Sequence, residues 1–208
     1  MRKNNTSLYL AAIFAVALLI GVGYAALSAT LKINGQTTIS KASWDVHFES
    51  ITTNDSSTIK LYAPSDTNLS SPLSSITSTN VTTLNYRVNL TGPDASAATT
   101  HNVTAKVVNK GTIDATVSTV SLPTAASVTS TNTSAVTAIS KMMTIKCTYD
   151  DGTEIKTGDV IKAGASKNIV CKHHYKAASE LTQSDLTVWN NITSATGNLS
   201  LTLNFTAK

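Results

Sequence analysis

Charge is what this 208-residue chain has least of: Asp, Glu, Lys and Arg make up 13% of it, about half the usual share. Lys and Arg total 16 against 12 Asp and Glu, and two of the cations, Arg2 and Lys3, sit at the very start. The rest of the chain is close to neutral, with no basic stripe for nucleic acid and no acidic field for cations. Aromatic residues are also scarce, at 5%, too few for a platform that stacks sugars or bases. Trp44 and Trp189 are accordingly expected as core plugs. There are two cysteines, and no CxxC or Cys/His cluster has zinc spacing.

Catalytic signatures are missing in the same way. There is no HExxH, no Glu three or four residues after a His, and no GxSxG elbow. His47 and His101 have no Ser or Cys nucleophile in a recognisable frame. His173 and His174 are neighbours, so on a strand they point to opposite faces and cannot grip one ion together. Asp150-Asp151-Gly152 lacks the spacing and closing Glu of an EF-hand and reads as a hairpin turn. The expectation is a non-enzyme with no catalytic residue, no cofactor and no metal.

What the chain does have is Ser and Thr, 59 of 208, on a background of 41% apolar residues, enough to bury a core. It opens with a signal for export. Arg2 and Lys3 precede an unbroken apolar run, Leu8 to Ile20, which ends in Gly21-Val22-Gly23-Tyr24-Ala25-Ala26-Leu27-Ser28-Ala29. A basic start, a short apolar centre and a small-residue tail define a secretory signal peptide, with cleavage expected after Ala25 or after Ser28. The other reading is an uncleaved anchor, because no charge occurs from Asn4 to Leu31 and that length can span a bilayer. Residues 1–28 are thus assigned to the signal segment, the only part expected to meet a membrane, and the protein is expected outside the cell.

Period-two alternation dominates the remainder, the mark of half-buried strands. Trp44, Val46 and Phe48 alternate with Asp45, His47 and Glu49, and Leu84, Tyr86, Val88 and Leu90 with Asn85, Arg87 and Asn89. The pattern returns at Val103–Val107, Ile113–Val117, Ile145–Tyr149, Ile169–Cys171 and Leu199–Phe205, with turn chemistry between, as in Gly92-Pro93-Asp94 and Asn109-Lys110-Gly111. Only Ala177 to Leu186 offers a short helix. The expected fold is all-β: a two-sheet antiparallel sandwich of jelly-roll type formed by residues 42–208 as one domain. Ser/Thr-rich loops are expected near 50–83 and 124–140, where 17 of 34 and 9 of 17 residues are Ser or Thr.

Cys147 shares a face with Ile145 and Tyr149, and Cys171 with Ile169, so both sulfurs are expected to point inward on nearby strands. An exported chain meets an oxidising environment, and a Cys147–Cys171 disulfide is expected; the alternative is two buried free thiols. Residues 29–41 hold a short extended segment in which Leu31 and Ile33 point one way and Lys32 and Asn34 the other, followed by Ile39. Such a segment can satisfy the unpaired N–H and C=O groups of an exposed sheet edge in a neighbour, its alternate side chains filling a groove, or it can pair within its own domain.

Three pieces of the chain together resemble the camelysin/TasA family of exported fibre proteins of Gram-positive bacteria. These are the Gly21–Ser28 end of the apolar run leading into Thr30 to Asn34, the strand-turn-strand Val107-Val108-Asn109-Lys110-Gly111-Thr112-Ile113-Asp114-Ala115, and the terminal Asn198-Leu199-Ser200-Leu201-Thr202-Leu203-Asn204-Phe205-Thr206-Ala207. The resemblance implies a jelly-roll domain and assembly into extracellular fibres of a biofilm matrix, the N-terminal strand of one subunit completing a sheet of the next. The candidate donor residues are then Leu31, Ile33 and Ile39, and the partner is the protein itself in a head-to-tail homopolymer, with other matrix proteins or the cell surface as further partners. The two cysteines and the Ser/Thr-rich insertions depart from the family pattern. A membrane-anchored monomeric adhesin, or a ligand-binding β-sandwich, is the alternative.

Overall fold

A computed structural model of the chain describes residues 15–17, 42–90, 98–192 and 194–208. The cleavage region (Ala25, Ala26, Ser28, Ala29), the candidate donor residues Leu31, Ile33 and Ile39, and the Gly92-Pro93-Asp94 turn lie outside the described residues. Contacts divide the chain into Met1–Ser40 and Lys41–Lys208, and the fold below is that of the second unit.

Its strands are β1 (Val46–Thr53), β2 (Ile59–Tyr62), β3 (Pro72–Leu73), β4 (Ser75–Ile76), β5 (Thr83–Leu90), β6 (Thr99–Asn109), β7 (Ala115–Ser121), β8 (Met143–Tyr149), β9 (Val160–Ile161), β10 (Ser166–Tyr175) and β11 (Ala195–Ala207). Every pairing among them is antiparallel. They form two sheets, the first in the order β4-β1-β6-β10-β8 and the second in the order β3-β2-β5-β11-β7-β9. The chain is therefore the all-β, two-sheet antiparallel sandwich that its alternation implies. Two long hairpins make it: β1 and β2 run against β6 and β5, and β7 and β8 against β11 and β10. Each hairpin folds over from one sheet to the other, as in a jelly roll. The two meet where β6 pairs with β10 and β5 with β11.

Because side chains alternate across a strand, the apolar members of each run gather between the sheets. Leu84, Tyr86, Val88 and Leu90 of β5, Val103, Ala105 and Val107 of β6, and Leu199, Leu201 and Leu203 of β11 belong to one buried cluster. Alternation fails in β1, where the register shifts between Phe48 and Ser50. This bulge, in which one extra residue opposes the partner strand, brings Ile51 rather than Ser50 back to the core.

Five sequence expectations are corrected. Trp44 is 45% exposed, because the strand begins only at Val46 and leaves the indole outside the pleat. Ile113 precedes β7 and lies in the turn. The segment 50–83 is not a loop throughout: it contains the end of β1 and all of β2, β3 and β4, and it buries Ile51, Ile59, Leu61 and Ile76. In 124–140 a helix, α1 (Thr133–Met142), replaces the expected loop. Its N-cap is Asn132, whose side-chain oxygen accepts from the backbone N–H of Ser134 at 3.0 Å and of Ala135 at 3.3 Å. Its buried stripe, Ala135, Ala138, Ile139 and Met142, follows the i, i+3, i+4, i+7 pattern of one helix face. Gly197 of β11 makes room for it, since a Cβ there would collide with Val128 and Ile139. The helix expected in Ala177–Leu186 forms further along, as α2 (Gln183–Asn190), after a 3-10 turn at Ala178–Glu180. Trp189 of α2 is buried as expected.

The Asn109-Lys110-Gly111 turn is fixed by a buried side chain. The Asn109 amide nitrogen donates to the carbonyls of Ile113 (2.9 Å) and Ile161 (3.0 Å), and its oxygen accepts from the Gly111 N–H (3.0 Å). Gly111 is required because a Cβ would lie 2.5 Å from the Ser43 carbonyl oxygen. One amide thus ties the end of β6 to the turn before β7 and to β9. Asn109→Ala leaves those buried groups unpaired and is expected to cost about 1–3 kcal/mol, read as a lowered urea midpoint with an unchanged slope.

Candidate functional site: the open edge of the bridged sheet

Strand β8 is the last of the first sheet, and among the described residues it pairs only with β10. The other three sheet ends differ from it: β4 at the far end of the same sheet, and β3 and β9 in the second sheet, are two residues long, whereas β8 has seven. Which of its backbone groups are unpaired follows from the alternation of an antiparallel ladder. The N–H of Asp150 bonds to Asn168 and the carbonyl of Met142 accepts from Lys176, so even-numbered positions face β10. The N–H of Met143 goes instead to Ile139 and that of Tyr149 to Thr153. The odd-numbered positions between them, Ile145 and Cys147, direct their N–H and C=O groups away from β10. Among the described residues no backbone group bonds to them.

The edge strand is pinned by a covalent bond. Cys147 stands directly opposite Cys171 of β10, their Cα atoms 4.0 Å apart, and the two form a disulfide. Both are buried, at 8% and 0% exposure, so the inward phase expected for each sulfur is the observed one. The bond fits an oxidising environment. On the outer face, the next residues in each strand, Lys146 and Lys172, also oppose one another and are exposed.

Beneath this end of the sheet lies a polar cluster. His173 is fully buried while His174 points outward, its Nε2 3.3 Å from Glu180. His173 Nε2 shares a hydrogen bond of 2.8 Å with the Tyr86 hydroxyl of the facing sheet, and the two rings meet edge-on at 5.4 Å. His101, opposite His173 in register, has its Nδ1 3.1 Å from the Asp55 carboxylate and its ring 5.2 Å from that of Tyr175. Burial pushes the His173 pKa down to about 4 and raises those of Tyr86 and Tyr175. For Asp55 burial acts upward but is outweighed by hydrogen bonds from Ser57 and Thr58, which hold the carboxyl well below its ordinary range. Asp55 orients His101 as a carboxylate orients a general base, yet among the described residues no hydroxyl or thiol bonds to His101 to be activated. No group of three or more His, Cys, Asp or Glu among the described residues is placed to hold a metal ion.

The structure thus joins Cys147 to Cys171 and separates His173 from His174. Alternation alone placed one of the two histidines inside; its Tyr86 partner and the Asp55–His101 pair depend on contacts distant in sequence and left no local signal. No family model, curated protein or solved structure matches the chain. Among the described residues no helix is long and apolar enough to cross a membrane.

Two outcomes are expected. The bridge closes a loop with a sequence separation of 24, so reduction is expected to cost roughly 3.5 kcal/mol on the chain-entropy account, and thiol titration of unreduced, denatured protein should find no free thiol. His173 stays neutral in the fold down to about pH 4, while in the unfolded chain it takes up a proton below about 6.5. The unfolded state therefore binds more protons between those values, and stability is complete above pH 6.5 and falls as pH drops toward 4, by about 3 kcal/mol in all. Glu49 and Asp185, held near 2 by hydrogen bonds from Lys106 and Lys110 and from Lys141 respectively, lose their partners mainly in a more acidic range. Denaturant midpoints at pH 7, 5.5 and 4 check this, and His173→Gln should flatten the slope above pH 4.5.

Proposed function

We propose that the chain is a secreted structural subunit of an extracellular fibre, joined head to tail by strand donation within a biofilm matrix. The observation that carries this reading is the outer edge of β8, where among the described residues Ile145 and Cys147 leave their N–H and C=O groups unpaired on a strand bonded to β10 by the disulfide. Unpaired groups on an edge strand are a template for another strand, and natural sheets usually shorten or cover such edges, as the two-residue strands β3, β4 and β9 do here. The donor is the segment Thr30 to Ile39, whose Leu31 and Ile33 alternate with Lys32 and Asn34. The export signal and the resemblance to the camelysin/TasA family support the same reading. Donation from one subunit to a different surface of the next does not close on itself and yields filaments.

If Leu31 and Ile33 fill a neighbour's groove, each contributes roughly 1.5–3 kcal/mol, and two carboxylates in their place meet a heavy desolvation cost. Leu31→Asp with Ile33→Asp, or deletion of residues 29–39, is expected to give monomers with an unchanged far-UV β signal and no filaments by negative-stain microscopy. On the acceptor side, Ile145→Pro removes an N–H that faces away from β10 and should also abolish filaments. Normal filaments from the deletion would exclude this donor; loss of the fold would assign the segment to its own domain. The second reading, a membrane-anchored monomeric adhesin, is favoured by the uncharged stretch from Asn4 to Leu31. N-terminal sequencing separates the two: a start near Ala26 or Ala29 fits the secreted subunit, and a start at Met1 in the membrane fraction fits the adhesin.

A further inference from the structure

The outer face of the second sheet is a lattice of hydroxyls and amides. Along β5, Thr83, Asn85, Arg87 and Asn89 alternate with the buried Leu84, Tyr86, Val88 and Leu90. Across from them on β11 stand Thr202, Ser200, Asn198 and Thr196. Several of these side chains are bonded to each other: Thr83 to Thr202 at 2.9 Å, and Thr196 to Asn89 at 3.2 Å. Into this face the fold sets two cations directly opposite one another, Lys60 of β2 and Arg87 of β5. Like charges at facing positions oppose strand pairing, and among the described residues neither has an acidic partner.

Arg87 is nevertheless held in a fixed pose. Its Nε donates to the Asn198 side-chain oxygen at 2.9 Å, and its guanidinium carbon lies 5.2 Å over the Tyr62 ring. With Nε engaged and the plane fixed, the two Nη nitrogens remain as a fork, and among the described residues no protein group accepts from them. The fork borders a groove of about 400 Å³ whose other walls include Asn198 and Thr196 of β11, Ser130 and Thr131 ahead of α1, and Ser194. That volume is at the lower end of the range for small-ligand sites, roughly 300–1,000 Å³.

We infer that this groove binds an acidic saccharide, a hexuronate unit of an anionic polysaccharide, through its carboxylate on Arg87 and its hydroxyls on the surrounding Ser, Thr and Asn side chains. A planar fork matches a carboxylate with two parallel hydrogen bonds, and short hydroxyl and amide side chains both donate and accept, as sugar hydroxyls do. Among the described residues no aromatic side chain lines the groove, so recognition is by hydrogen bonding rather than stacking, and a neutral sugar is left without its strongest contact. Lys60 adds a second positive charge for a polymer that carries a carboxylate on every unit. The site is built on the second sheet and does not rest on fibre assembly.

The test is a titration of the purified, isotope-labelled full chain with trigalacturonate, with maltotriose as the neutral probe and inorganic phosphate as the simple anion. Trigalacturonate should saturate, with amide shifts concentrated in residues 130–132 and 194–198. Arg87→Gln should weaken it by about tenfold or more, at an unchanged thermal midpoint. Arg87→Lys, which keeps the charge but loses the fork, should fall between; Lys60→Gln should lose less, and only at low salt. Equal binding of maltotriose, displacement of trigalacturonate by an equal concentration of phosphate, full affinity in Arg87→Lys, or no saturation by trigalacturonate would each overturn the assignment.

Discussion

The pairing of β6 with β10 is the contact on which the rest of the molecule depends. It runs without a shift from Ser166↔Val108 to Tyr175↔Thr99, and it joins one folded hairpin to the other in the first sheet. Since side chains alternate with a period of two, a slip of one residue would turn every inward group of β10 outward. Ile169, Cys171, His173 and Tyr175 are inside because of that register, and so is the sulfur that meets Cys147 one strand further on. The buried histidine also depends on it: His101 is opposite His173 only in this alignment.

A sandwich that exposes little charge needs another way to stay specific, and polar side chains at a few interior positions supply it. Asn109 closes one end by bonding to three backbone groups, two in the turn before β7 and one in β9. Tyr86 and His173 link the two sheets through a buried side-chain hydrogen bond, as Asn109 does through the Ile161 carbonyl. Such groups are costly unless their partners are in place, so they penalise misaligned packings that a purely apolar interior would tolerate. The Ser, Thr and Asn on the outer face of the second sheet do different work, bonding to each other across the strands.

Long strands were legible because one local rule governs them. The runs in β5, β6 and β11 show plain alternation, and the phase of Cys147 and Cys171 within their own runs was enough to anticipate the bridge. The failures have local causes as well. Helix α1 shows its apolar face for barely two turns within a segment dense in Ser and Thr, which favour turns and caps over helix interiors. The exposed Trp44 comes from a strand that starts two residues later than its alternation suggests, and the bulge between Phe48 and Ser50 breaks the phase partway along that strand. Strand β2 was hidden in a stretch read as loop, and with it the Lys60–Arg87 pair, since facing positions on separate strands are set by pairing and not by neighbours in sequence.

The placement of the disulfide also has a mechanical meaning. A strand at the end of a sheet can be peeled away one hydrogen bond at a time, because each rupture exposes the next to the full load. With Cys147 bonded to Cys171 midway along β8, an unzipping front that starts at either end stops at a covalent bond. Tension applied to the strand passes into β10 and from there across the ten-residue ladder to β6, where the bonds are loaded together and not in turn. The first sheet is thus hardened at the strand where anything attached to its edge would pull.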